Sequence, residues 1–148
     1  MKIVCEIQML DGADVRVQAD VFAAFVETLV EVNRIVLRAS GAVAAPATSL
    51  YASGVRFQED ARWQDVTSMR ATGYGDCKDL VAWRLAELRG QGVDARLHVI
   101  FSKAGGTDVF HMVVLHPGGQ LEDVAAIVRS VAAGGAALAP PGGLRIVR

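Results

Sequence analysis

The sequence predicts an α+β fold. Three observations carry that expectation: two β-like runs meeting at Asp11-Gly12, two amphipathic helical stretches further on, and a pair of β-rich runs after the second helix. "MKIVCEIQML" and "ADVRVQA" flank a dipeptide suited to the positive φ angles of a tight turn, so a hairpin is expected to open the fold. Asp20 then offers an N-cap to "VFAAFVETLVEVNRIVLRA", where Phe22, Phe25, Val26, Leu29, Val30, Val36 and Leu37 recur at helical spacing. Residues 40–60 hold Gly41, Pro46 and Gly54 without a sustained period and read as loop, with a short extended piece at 55–58. "WQDVTSMRAT" reads as a short helix before a Gly-containing turn.

Asp76 is expected to cap the second long helix, with Asp79 three residues on completing a capping-box pattern and Gly90 or Gly92 ending it. Leu80, Val81, Leu85 and Leu88 form its apolar face, with Cys77 on the same stripe. "ARLHVIF" and "VFHMVVLH", separated by "SKAGGTD", then "QLEDV" after "PGG", predict an antiparallel meander of two or three strands. The final segment begins as a short helix, and the Gly, Ala and Pro-rich run at 132–143 reads as a flexible connector.

The chain has 148 residues, 52% hydrophobic and 21% charged, the size and balance of one globular domain. A net charge of −1 with scattered Lys and Arg offers no footprint for nucleic acid or an acidic membrane. There is no apolar span of membrane length and no signal-like N-terminus, which predicts a cytoplasmic protein, with packaging in a virion left open. Two cysteines, Cys5 and Cys77, are too few for a disulfide scaffold and read as reduced.

Cys77 is the residue with chemical promise. A free thiol, with a pKa of about 8.5, is mostly protonated at neutral pH, and a helix N-terminus favours the thiolate. Gly73 and Gly75 allow a sharp turn and close approach, whereas Asp76 and Asp79 oppose the negative charge, so a protonated imidazole beside the sulfur is required. Of His98, His111 and His116, His111 fits best: a turn centred on Pro117 sets it opposite Asp123 across two strands, close enough for the carboxylate to orient the ring. That pairing needs a loop of odd length. A thiol on a helix, a base on a strand and a carboxylate on its neighbour form the pattern of an activated cysteine nucleophile.

"GYGDCKDLVAWRLAELRGQGVDARL", "FHMVV" and "GGQLEDV" resemble the Cys, His and Asp blocks of the transglutaminase-like superfamily, over about Val55 to Val124. The resemblance implies a papain-like core over roughly residues 50–124, in which a Cys-bearing helix packs on an antiparallel sheet carrying His and Asp. "LYASGVRF", the following Trp and "GDCKDLVAWRLAELR" are similar to a small subgroup often encoded by bacteriophages and prophages. Cys77 as nucleophile, His111 as base and Asp123 as orienting carboxylate are what this implies. The implied chemistry is thiol-based acyl transfer: hydrolysis of a peptide or isopeptide bond, deamidation, or amide transfer to an amine. A peptide or protein substrate and other phage proteins are the implied partners. Tyr74, Trp63 and Gln58 are the candidates for oxyanion or cleft roles, and the Cys77 N–H is a further donor. No cofactor is implied; no acidic cluster suits calcium, and without a short ligand pair zinc is disfavoured.

Plainer readings stand beside these. Without the resemblance Cys77 reads more often as a packed thiol than as a nucleophile, His111 as an ordinary strand histidine and Asp123 as a strand terminator. Cys5 reads as core, Trp83 as packed on its helix, and Tyr51 with Trp63 as cleft-lining. The alternative to the enzyme is an inert phage structural or partner-binding module that keeps the fold.

Overall fold

A computed structural model describes residues 14–41 and 49–134; Cys5, the first run of the expected hairpin and most of the 132–143 connector lie outside them. The described chain is a mixed α+β arrangement of four helices and two small sheets. Helix α1 (Val15–Ala39) begins earlier than Asp20, so residues 15–19 of the second β-like run are helical and not a strand. Asp14 is the actual cap, its carboxylate accepting from Arg16 N at 2.7 Å. The alternation of Val15 and Val17 mimics a strand, but Ala19, Val26, Val30 and Leu37 continue one buried helical stripe and packing decides in its favour.

A single 3₁₀ turn (Leu50–Ala52) leads to strand β1 (Arg56–Phe57), within the extended piece expected at 55–58. Helix α2 (Val66–Thr72) is capped by Asp65 and ends on Gly73, whose φ of 81° is the left-handed conformation that favours glycine. Strand β2 (Tyr74–Gly75) pairs in parallel with β1, and helix α3 (Cys77–Gly90) follows after a single residue. Gly90 is helical; the chain turns at Gly92, with φ 82°.

Helix α3 is the centre of the molecule. Its expected apolar face is buried, and so are Ala82, Trp83, Ala86 and even Lys78, Asp79 and Glu87. Helix α1 covers one side with Val26, Val30 and Leu37, and the sheet covers another with Met112 and Val114.

That sheet has the antiparallel order β3 (Arg96–Ala104), β4 (Thr107–Leu115) and β5 (Leu121–Glu122). The expected seven-residue separation "SKAGGTD" is only a Gly105-Gly106 turn, because φ values of 58° and 82° allow a two-residue loop matched to strand twist. Helix α4 (Val124–Ala132) packs against α3 and β1. Among the described residues no helix is long and apolar enough to cross a membrane.

Gly75 marks the tightest approach near α3. A Cβ there would lie 2.6 Å from Met69 Sδ, and Met69 is fully buried. Gly75→Ala is expected to cost roughly 1–3 kcal/mol through overpacking, measured by urea denaturation with circular dichroism.

Candidate active site

Helix α3 starts at Cys77 because the two aspartates expected to cap it do so reciprocally. Asp76 accepts from Lys78 N at 2.9 Å and from the Asp79 backbone, while Asp79 accepts from Asp76 N at 3.2 Å. The cap thus takes the second and third helical N–H groups and leaves that of Cys77 outside it. The thiol is free and half-buried.

Part of the negative charge of this cap is offset by a residue that motif reading passed over. Lys78 is 5% exposed, with Nζ 2.9 Å from Asp76 Oδ2, 3.3 Å from Asp79 Oδ2 and 2.8 Å from the Asp60 carbonyl oxygen. Asp79 also accepts from Gln64 N at 3.0 Å. Burial nonetheless pushes its carboxyl up to about 6, against the pull of Lys78 and of these two N–H donors. The signal was in the sequence: "DCKD" sets a cation between two acids.

His111 lies in β4, paired with Ile100 of β3. Its Nε2 is 3.1 Å from Asp123 Oδ2, and the ring also interacts with the Cys77 side chain. Cys77, His111 and Asp123 therefore come together as expected from the sequence, but by a different route. Val114 pairs with Glu122 and Leu115 with Leu121, centring the turn on Gly118 instead of Pro117. Asp123 is not a strand residue opposite His111; it is the N-cap of α4, accepting from Ala126 N at 3.1 Å. The loop closes through His116 N to Gln120 O and keeps its odd length. A two-residue displacement preserves the face of the sheet, so Asp123 reaches His111 as a diagonal neighbour.

The imidazole is pushed up to about 10, chiefly by the hydrogen bond to Asp123 and next by that to Cys77, with burial acting the other way. Asp123 is held below the usual carboxylate range by the same bond to His111. The side chains are 36% and 42% exposed, so the pair is open to solvent. His111 and Cys77 line a cleft of about 540 Å³ together with Phe57, Phe110, Glu59, Asp60, Asp76 and Arg129.

The other candidates divide. Tyr74 lies behind the cleft wall, its hydroxyl donating to Asp60 Oδ2 at 3.1 Å and accepting from Arg62. Gln58 is exposed, and its N–H bonds the Gly75 carbonyl at 3.0 Å, one step from the capping box. Trp63 does not line the cleft: its ring packs 5.7 Å from Phe22 and 5.8 Å from Phe25, an aromatic contact that outweighs its loop-like surroundings. Tyr51 lines a separate hollow of about 230 Å³ between the 3₁₀ turn and α4, with its hydroxyl bonded to Glu122. His98 pairs with Val113 within the sheet. Among the described residues, no cluster of three or more His, Cys, Asp and Glu side chains suits a metal ion.

Glu122, beside Asp123, is 2% exposed and takes three partners: Tyr51, Arg84 at 2.7 Å and His116 at 2.6 Å. Burial would raise its pKa, but the Arg84 charge and these hydrogen bonds hold it below its ordinary value. Arg84 also meets Glu87 at 3.4 Å, and Glu87 accepts from Leu50 N at 2.7 Å. This network ties the 3₁₀ turn, α3 and β5 together directly behind Asp123.

Two measurements test this account. Glu122→Leu leaves the buried Arg84 with Glu87 as its one carboxylate partner among the described residues and is expected to cost roughly 3–5 kcal/mol in denaturant unfolding. Asp123→Asn is expected to bring the His111 titration, followed by NMR of the ring, down from about 10 toward its ordinary 6.5. Because the folded value is the higher, the wild-type pair stabilises fully below pH 6.5 and loses that contribution as pH rises through 10. The Asn variant, which keeps the Cys77 interaction, should show a smaller alkaline decline.

No family model, curated protein or solved structure matches this chain.

Proposed function

We propose that the protein is a transglutaminase-like cysteine enzyme with a papain-like core that acts on an amide bond through a thioester on Cys77. The observation that carries the reading is the meeting of a helix-opening thiol with a carboxylate-held imidazole in an open cleft. The Cys77 thiolate attacks the amide carbonyl, forming the C–S bond, and the oxyanion is met by the Cys77 N–H that the capping box leaves outside. Protonated His111 gives its proton to the leaving amine as the C–N bond breaks. His111 then takes a proton from water or an acceptor amine, which attacks the thioester and frees the sulfur. Asp123 holds the imidazole tautomer and favours its cationic form.

Supporting the reading is how the capping aspartates are handled. Buried Lys78 offsets one of their two charges, which would oppose a thiolate, and so lessens the opposition that the helix terminus and His111 meet at the sulfur.

The test is alkylation of Cys77 by iodoacetamide against pH, with the labelled residue identified by mass spectrometry. At pH 6 a thiol of pKa about 8.5 is less than 1% ionised, so an activated Cys77 should react more than tenfold faster than free cysteine and lose that advantage in His111→Ala. A rate no faster than free cysteine and indifferent to His111 would favour the inert partner-binding module instead. Incubation with glutamine-containing peptides, with and without an added amine, then separates hydrolysis, deamidation and transfer by product mass.

A further inference from the structure

The charged groups of the cleft are unequally committed. Asp60 is engaged by Arg62 at 2.8 Å and by the Tyr74 hydroxyl. Asp76 is engaged by Lys78 and by the N–H it caps. Asp123 gives one oxygen to His111 and the other to Ala126 N. Arg129, in the last turn of α4, lines the same cleft, and among the described residues no carboxylate forms an ion pair with it, although its charge is felt by Asp123. Its guanidinium carbon sits 3.8 Å from the centroid of the Phe57 ring. A guanidinium resting on an aromatic face is fixed in place while its N–H edge stays free for a planar, two-oxygen partner.

We propose that Arg129 is the specificity residue of the cleft and binds a carboxylate on the substrate, so that the amide attacked by Cys77 is one with a carboxylate nearby. This rests on the reading of Cys77 as the nucleophile. A carboxylate is the group that a fixed guanidinium edge holds with two parallel charge-assisted hydrogen bonds. Glu59, the exposed acid of the same cleft, forms no ion pair with Arg129.

Two alkylating agents of nearly equal size test the assignment. The Cys77 thiolate displaces iodide from both iodoacetate and iodoacetamide, the C–S bond forming as the C–I bond breaks and iodide leaves to solvent; the first agent carries a carboxylate and the second a neutral amide. The ratio of their rate constants at Cys77 is expected to fall about tenfold in Arg129→Gln, the weight of one charge-assisted hydrogen bond. It should recover in part in Arg129→Lys and should not fall in Glu59→Gln. His111 is retained in all three, so its own attraction for iodoacetate cancels. An unchanged ratio in Arg129→Gln would overturn the proposal. Slow reaction with both agents at pH 6 would count against thiol activation instead; the ratio, read at pH 9 where an ordinary thiol ionises unaided, still decides the role of Arg129. Arg129 is exposed, so the variants should fold, as circular dichroism can verify. Protection of Cys77 by acetyl-glycylglycine or by acetyl-glutamyl-glycinamide, lost in Arg129→Gln, then tells a terminal carboxylate from a side-chain one.

Discussion

The reciprocal cap at the start of α3 is the constraint on which the rest depends. Asp76 and Asp79 satisfy N–H groups that a helix otherwise leaves open, and so fix Cys77 as its first residue. A start one residue later would put the sulfur on the non-helical cap residue; one residue earlier would rotate it by about 100° around the helix. The parallel bridge between β1 and β2 holds the approach to this cap, and Gly75 keeps it close to α2.

Burying α3 on nearly all sides places charged groups where charge is costly, and the fold answers with dense pairing. Lys78 and Asp79 lie at one end of the helix, Arg84 and Glu87 near its middle, and each has a partner of opposite sign. Such pairs add little net stability compared with apolar side chains, but a misplaced partner is penalised heavily, so they favour a single arrangement. Asp76 of the first cluster lines the cleft, and Glu122, the partner of Arg84 in the second, adjoins Asp123 in sequence.

Much of this was legible in the sequence because it is local. The capping box, the α3 stripe, the strands around His111 and the short helix at α4 follow from spacing and residue type. Where the reading failed, a longer-range contact outweighed the local pattern. "ADVRVQA" alternates as a strand does, yet Ala19 is wanted by the core as part of a helix. Trp63 sits among loop-like residues, yet Phe22 and Phe25 draw its ring inward. Asp123 was matched to His111 by strand parity, and the parity was right while the pairing was not, because capping α4 ended the strand after Glu122. Arg129 carried no signal, since its place depends on how α4 lies against Phe57.

Neighbouring residues of an extended chain point in opposite directions, and at β5 that alternation has a consequence for how this molecule can change. Glu122 turns inward to Tyr51, Arg84 and His116, whereas Asp123 turns outward to His111. The interior charge cluster and the open groove therefore share one stretch of backbone. Neither can be redesigned alone: a substitution accommodated in the interior by moving Glu122 would displace the acid that faces the solvent, and the two sides must vary together.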